Sequence, residues 1–377
     1  MKRSKILLLC LGLGFFTVSC EKEMEDMKVE SLSNSQNVGI AASTRLTVPN
    51  GLALRRPSNF APLSESFREL LLNEAVEPSE CSPTQFVTVQ NKYLNPLVND
   101  LYSIFGPAEY ADIFYLYSDL NLYSAYFDTS EQYFGEKGEY TNFVAKRKRE
   151  LEKFWNMPNQ IQINGQHTAT LNDREKLADV YELVGVNVNS REEAYAIADE
   201  ILYFNTLSPN LPENPFFALD GFATTYRNLI VIGDGIVSML SETGIEQDIV
   251  WTGILAHEWA HQIQFKNFAS WYPNGAAADP AEATRYTELE ADFLAAYYMT
   301  HKRGATYNKK RVEQFFTLFF QIGDCGFTNS GHHGTPIQRM AAARLGFELA
   351  DQAQKQGHIL TAQQAHDIFV SRINTVL

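Results

Sequence analysis

An apolar segment with two histidines and a glutamate constrains the fold of this chain more than any other feature. Residues 249–256 are almost entirely apolar and lead directly into a His-Glu-x-x-His pattern formed by His257, Glu258 and His261. A continuous helix would place the two imidazoles about 40° apart around its axis and one turn apart along it, so that both can reach one ion. Glu258 would lie on the neighbouring flank, where its carboxylate can hold a water without binding the ion itself.

The alternative is a buried helix that contains two unrelated histidines. Burying two imidazoles and a carboxylate beside Ile254 and Leu255 would be costly unless a metal or hydrogen-bond partners compensate. We therefore favour a metal site in which His257 and His261 are ligands and Glu258 is the catalytic base.

A second acidic segment, at residues 288–292, begins another apolar helical pattern. A catalytic zinc site has three protein ligands and one open position, and two histidines with one glutamate are a standard set. Glu288 is the predicted third ligand, and Asp292, one turn later on the same face, is predicted to accept the other ring N–H of a ligating histidine. Glu290 competes for the ligand role, but its offset of two residues places it on another face. It is predicted to be a solvated acid.

The pattern His-Glu-x-x-His followed by Glu-x-x-x-Asp is similar to that of the gluzincin metallopeptidases. Other segments resemble the HtpX and CAAX-prenyl-protease family and the bacterial neutral zinc metallopeptidases: the runs at 217–221 and 230–236, the helix that begins at Glu288, and the segments 323–325 and 333–339. The resemblance covers residues 216–349. It implies a zincin-like catalytic lobe in which a small sheet precedes the zinc helix.

The same resemblance gives roles to two later residues. His333 would lie near the open zinc position and hydrogen-bond the oxyanion, and Arg339 would be structural. A tetrahedral intermediate needs a positioned donor besides the metal, which supports the first role. The alternatives are that His333 is an ordinary loop residue, or that His332 faces the zinc instead.

The N-terminus has the layout of a secretory signal. Basic residues at positions 2, 3 and 5 precede an apolar run at 6–18, and the run ends at Cys20 in a segment that resembles the lipobox of bacterial lipoproteins,. Residues 1–19 are predicted to be removed and Cys20 to carry a lipid that anchors the protein to the membrane. An ordinary signal peptide with an incidental cysteine is the alternative.

The acidic cluster at residues 21–26 resembles the surface-export signal of some Gram-negative lipoproteins, although a solvated linker explains it nearly as well,. Together, the predicted lipid on Cys20 and this acidic cluster indicate that the protein lies in the cell envelope, anchored to the outer membrane and exposed at the surface. The two remaining cysteines, Cys81 and Cys325, either form a disulfide or are isolated buried thiols.

These features predict a peptidase with one Zn²⁺ per chain that acts on a peptide or protein substrate. Glu258 would take a proton from a zinc-bound water and return it to the leaving amine. The alternative is a non-catalytic surface lipoprotein that keeps the fold as a binding module. A closed structural zinc site would need a fourth ligand, commonly cysteine, and neither Cys81 nor Cys325 has a recognisable metal spacing.

Charge limits the partners of this chain. A formal net charge of −14 and a sequence pI near 5.1 give no electrostatic reason to bind phosphate backbones, so we expect no nucleic-acid partner,.

The chain divides into a signal peptide (1–19), a lipid anchor with a flexible tether (20–59), a mainly helical region (60–210) and a zinc metallopeptidase domain (211–377). A proline-rich break at residues 209–215 marks the last boundary, although a boundary inside one compact unit would look the same.

The predicted class is α+β with helices dominant. Alternating isoleucines followed by Asn164-Gly165 predict a hairpin within residues 159–170, and β-like runs follow at 216–224 and 229–232,. Long helical patterns are expected at 247–266, 280–303, 308–322, 336–350 and 362–373.

Tyrosines at helical spacing in the helical region are predicted to be core residues, among them Tyr102, Tyr110, Tyr115, Tyr117, Tyr123, Tyr126 and Tyr133,. His167, His358 and His366 are predicted to be surface or packing residues. His301 is predicted to be a cation that suits a helix C-terminus.

Overall fold

The computed structural model describes residues 51–55, 84–305, 309–323, 333–354 and 357–376. The predicted signal peptide, Cys20, the acidic cluster, most of the tether, Cys81, Cys325 and His332 lie outside the described residues. None of the helices in the described part of the chain is long and apolar enough to span a membrane.

The described residues form a helix-dominated α+β fold with one three-stranded sheet, which confirms the predicted class. Its α-helices are α1 (Gln85–Phe105), α2 (Tyr110–Phe127), α3 (Thr141–Phe154), α4 (Arg174–Val184), α5 (Arg191–Asn205), α6 (Asp234–Glu242), α7 (Gln247–Trp271), α8 (Pro280–Thr300), α9 (Lys309–Gln321), α10 (Pro336–Gln354) and α11 (Ala362–Arg372). The strands are β1 (Gln162–Gln166), β2 (Gly221–Thr224) and β3 (Leu229–Gly233).

The sheet has the order β1-β3-β2, with β1 parallel and β2 antiparallel to the central strand. All five residues of β3 are buried, as expected for an apolar strand covered on both faces,. β1 comes from the segment before residue 210 and its partners from the segment after it, so the two segments share one sheet. Residues from both also join one hydrophobic core.

The predicted hairpin within residues 159–170 is wrong. Only one strand forms there, and it pairs with β3, with Ile163 opposite Ile230. The side chain of Asn164 donates hydrogen bonds to the carbonyl oxygens of Ala125 and Asp128, both at 2.8 Å, and does not sit in a turn. A Cβ on Gly165 would lie 2.7 Å from the His167 ring, so this glycine is required by close packing.

Only the last four residues of the predicted β-like run at 216–224 form a strand. A 3₁₀ turn occupies Pro215–Ala218, because Pro215 starts it and the side chain of Asn214 caps it by accepting a hydrogen bond from the Phe216 N–H at 2.9 Å,. The strand then begins at Gly221.

Most of the tyrosines are core residues, as predicted. Tyr110, Tyr117, Tyr123 and Tyr126 are buried, whereas Tyr133 is 40% exposed. Burial of a hydroxyl requires a partner, and Tyr117 donates to Asn205 Oδ1 at 2.8 Å,.

Helices α7 and α8 carry the predicted site and lie in the interior. Residues 249–264 of α7 are all buried, which fits a helix that is largely apolar around its circumference,. α8 begins at Pro280, and the side chain of Asp279 caps it by accepting a hydrogen bond from the Glu282 N–H at 3.0 Å,. α10 packs closely on α8 at Gly346, where a Cβ would lie 2.2 Å from the Phe293 carbonyl oxygen.

Candidate metal centre

The two histidines of α7 meet edge to face at one point in the interior. His257 and His261 are one turn apart, both are buried, and their Nε2 atoms lie 3.1 Å from each other. The helix therefore brings the two imidazoles together as the spacing predicts.

Glu288 on α8 completes a triangle with the two rings. Its Oε2 lies 3.1 Å from His257 Nε2, and its Oε1 lies 3.1 Å from His261 Nε2. Three ligands bound to one zinc at about 2.0–2.2 Å in tetrahedral geometry lie about 3.3–3.6 Å from one another. These three side chains form a group that could hold a metal ion.

The hydrogen-bond partners of the two Nδ1 atoms determine the tautomer of each histidine ring. His257 Nδ1 lies 2.9 Å from Asp292 Oδ1, and His261 Nδ1 lies 2.8 Å from Gln264 Oε1. Both partners are acceptors, so each Nδ1 carries the proton and each Nε2 presents a lone pair. Two lone pairs and a carboxylate then converge, and their mutual repulsion is relieved when a proton or a metal cation lies between them. The donor set therefore fits a divalent metal.

Asp292 occupies the place predicted for it, as the partner of a histidine ring. Arg339 on α10 holds it with two hydrogen bonds, from Nε to Oδ2 at 2.7 Å and from a terminal nitrogen to Oδ1 at 2.8 Å. Both side chains are fully buried. The paired guanidinium fixes the carboxylate, and the carboxylate fixes the His257 ring.

Buried carboxylates make this place favourable for positive charge. Burial alone would lower the pKa of His257, but Asp292 and Glu288 outweigh it and raise the pKa to about 10. Burial alone would raise the pKa of Glu288, but His333 and His261 hold it well below its usual range. A metal ion would use the same lone pairs as a proton, so we expect metal binding to weaken as the pH falls.

Glu258 lies beside the triangle and is not part of it. Its side chain is fully buried, and neither carboxylate oxygen has a hydrogen-bond partner among the described residues. It lines a cavity together with His261, Glu288 and the apolar side chains of Phe222 and Phe265. Burial raises the pKa of Glu258 to about 7, against the opposing effect of the two histidines. A carboxylate with such a pKa can accept and return a proton near neutral pH.

His333 is fully buried just before α10. A positive charge on His333 would help to hold the pKa of Glu288 below its usual range. Gly334, the next residue, has a φ of +108° and packs against Leu289 of α8. The described segment that precedes α10 therefore brings His333 towards the ligand side of α8.

The prediction that Glu290 is a solvated acid is wrong. Its side chain is fully buried, and its carboxylate accepts hydrogen bonds from Tyr272 and His366. The offset of two residues from Glu288 does place it on another face, as expected, but helix α11 covers that face. Glu288, and not Glu290, belongs to the group of side chains that could hold a metal ion.

Gln264 is a residue of the site that the sequence analysis missed. Its side chain accepts from His261 Nδ1 and donates to the Thr287 carbonyl oxygen at 2.8 Å. A signal was present, because Gln264 follows His261 by three residues and so lies on the same face of the helix.

The prediction that His301 is a cation at a helix end is wrong. It is fully buried, its Nδ1 accepts a hydrogen bond from the Arg303 N–H at 3.0 Å, and its Nε2 lies 3.1 Å from the His358 carbonyl oxygen. Burial lowers its pKa, so the ring is neutral,. His167 and His366, predicted to be surface or packing residues, are buried, and His358 is exposed.

Comparisons of this chain with models of protein families, with curated proteins and with solved structures found no match.

The geometry predicts that Glu288→Ala removes metal binding. Two histidines remain after the change. Loss of a residue that only hydrogen-bonds to a ligand typically lowers metal affinity by about 10- to 100-fold, so loss of a ligand itself should lower zinc affinity by more than this. Chelator-competition titration of the purified protein measures this, and Glu282→Ala, at an exposed acid on the same helix, is the matched control. Equal affinity in the Glu288 variant and the control would exclude Glu288 as a ligand.

Proposed function

We propose that this protein is a zinc-dependent peptidase of the gluzincin kind, with a zincin-like catalytic lobe around α7 and α8. The observation that carries the proposal is the convergence of His257, His261 and Glu288 beside Glu258, whose buried carboxylate has no hydrogen-bond partner among the described residues. Catalytic zinc sites combine three such protein ligands with one open position, and a neighbouring carboxylate can serve as the base.

The donor set favours zinc over other metals. Two imidazoles and one carboxylate suit a four-coordinate zinc with one open position, whereas Mg²⁺ and Ca²⁺ prefer oxygen ligands alone. When bound, zinc supplies a Lewis acid that polarises a peptide carbonyl and lowers the pKa of water.

Glu258 moves the proton in the proposed reaction. Its carboxylate accepts the proton of the attacking water and gives it to the nitrogen of the leaving amine, so one side chain acts first as base and then as acid. Its raised pKa, about 7, suits both steps near neutral pH. His333 is proposed to donate a hydrogen bond to the oxygen that becomes negative as water adds to the carbonyl.

The substrate is proposed to bind along β2. β3 is the central strand of the sheet and is paired with β1 and β2, so it has no free edge for an extended peptide. β2 is at the edge, and Phe222 and Ala223 line the cavity that Glu258 also lines. The Gln262 side chain donates to the Thr224 and Leu229 carbonyl oxygens, both at 3.0 Å, and fixes α7 against the sheet. A peptide added to this edge would pass in front of the base.

We also propose that the peptidase is a lipoprotein of the cell envelope, anchored to the outer membrane through Cys20 and exposed at the surface. The support is the N-terminal sequence alone,. Peptides or proteins are the proposed substrates, and the negative net charge of the chain disfavours nucleic acid,.

A second candidate is a binding module that holds zinc without turnover. The presence of Glu258 beside the ligand group argues against it, because a binding module has no need of a buried base. A wild-type protein that binds zinc but cleaves no member of a diverse peptide library would favour this candidate over the peptidase.

The first test of the proposed chemistry is Glu258→Gln. Glutamine keeps the size of the side chain but cannot take a proton, so kcat/KM should fall by about 10²–10⁴-fold while zinc affinity is unchanged. Mass spectrometry of a digested peptide library measures cleavage, and Glu313→Gln, at an exposed acid on α9, is the control. Cleavage at the wild-type rate would refute the role of Glu258.

A second test separates the proposed oxyanion contact from metal ligation. His333→Ala should lower kcat by about 10²–10³-fold, the cost of losing one oxyanion donor, with a much smaller change in zinc affinity. The exposed His358, changed to Ala, is the control. Loss of zinc in proportion to activity would make His333 a ligand, and unchanged kinetics would remove it from the mechanism.

A further inference from the structure

A buried row of side chains connects the C-terminal helix α11 to the metal ligand His261. It begins at Gln264, whose Oε1 faces His261 Nδ1 at 2.8 Å. The amide nitrogen of Gln264 donates to the Thr287 carbonyl oxygen at 2.8 Å and to Glu290 Oε2 at 3.1 Å. The row continues through Glu290 to His366, whose Nδ1 lies 2.6 Å from Glu290 Oε1.

These contacts determine which way the Gln264 amide is turned. The oxygen and nitrogen of an amide have nearly the same shape, so only their hydrogen-bond partners decide their positions. Both partners of the nitrogen are acceptors, and one of them, Glu290, is a carboxylate. The nitrogen therefore lies towards Glu290, and the oxygen must lie towards His261.

Glu290 in turn is held by donors from two elements. His366 donates to one of its oxygens, and the Tyr272 hydroxyl and Gln264 donate to the other. A buried carboxylate requires such partners, because burying it without them is costly. The His366 ring stacks on Trp271, with centroids 4.1 Å apart and planes 7° apart, which sets its orientation towards Glu290.

We propose that Glu290 and His366 are positioning residues for the metal centre. Through Gln264 they hold His261 in the tautomer with the proton on Nδ1, so that its Nε2 lone pair faces the ion. The inference rests on the proposed zinc site. It gives each ligating histidine its own buried carboxylate, direct for His257 through Asp292 and through one amide for His261.

The consequence of breaking the row follows from the amide. Without a carboxylate held in place behind it, the Gln264 amide can turn so that its nitrogen faces His261 Nδ1. His261 Nδ1 would then have to accept a hydrogen bond from the amide, and the ring proton would move to Nε2. The ring could not bind a metal through Nε2 without losing that proton. Loss of partners behind a metal ligand typically lowers affinity by about 10- to 100-fold.

A pair of variants at His366 separates positioning from packing. His366→Phe keeps a ring that can stack on Trp271 but removes the Nδ1 donor, whereas His366→Asn loses the ring and keeps a donor at nearly the same place. We expect the Phe variant to bind zinc about 10- to 100-fold more weakly in chelator competition and the Asn variant to stay close to wild type. The visible absorption of the Co²⁺-loaded proteins should change in the same order, since it reports ligand geometry.

His167→Phe is the matched control for general damage to a buried histidine. This residue also stacks on an aromatic ring, that of Tyr133 at 3.8 Å, and its Nδ1 lies 2.7 Å from Asp234. It has no contact with the metal-binding group, so its zinc affinity should equal that of wild type even if the variant is less stable.

A double-mutant cycle with Gln264→Met separates an effect through Gln264 from a general loss of stability, because a general loss would add to the effect of Gln264→Met. If His366 acts through Gln264, adding His366→Phe to Gln264→Met should cause no further loss of zinc affinity. Additive losses would overturn the inference, as would equal affinity of His366→Phe and wild type, or a weaker His366→Asn than His366→Phe. Those results leave the proposed peptidase intact, whereas a wild-type protein that binds no zinc overturns both.

Discussion

The site depends on one electrostatic constraint: two imidazole lone pairs and a carboxylate converge within 3.1 Å of one another in a buried place. Such a group is unfavourable unless a proton or a metal ion lies within it, because burial removes the water that would otherwise separate like partial charges. A metal ion at its centre would replace this repulsion with bonds to all three side chains and would join α7 to α8. Metal binding and folding of these two helices should therefore support each other.

Much of the surrounding structure orients these ligands. Arg339 of α10 fixes Asp292 against His257. In the proposed account, His366 of α11 serves His261 at the other end of the pair. The chain thus brings helices from well beyond the ligands in sequence to the outer side of each ring, and the sheet edge at β2 runs along the remaining side, where the substrate is proposed to bind.

The parts of the site that depend on local geometry were predictable from the sequence. Helical spacing alone brings His257 to His261, and Asp292 follows Glu288 by one turn. The fate of Glu290 was not predictable in this way, because its burial depends on α11, which follows it by more than 70 residues. The same limit explains why the hairpin prediction is wrong. Asn164 donates to the carbonyl oxygens of Ala125 and Asp128, and its strand pairs with the distant β3, which no local pattern reveals.

The central claim, that these three side chains hold one zinc, is tested most directly by X-ray absorption at the zinc edge on the purified protein loaded with one equivalent of the metal. The account predicts a first shell of nitrogen and oxygen alone at about 2.0–2.2 Å, with the outer scattering of two imidazoles. A shell that contains sulfur at about 2.3 Å, or one without imidazole scattering, would contradict it.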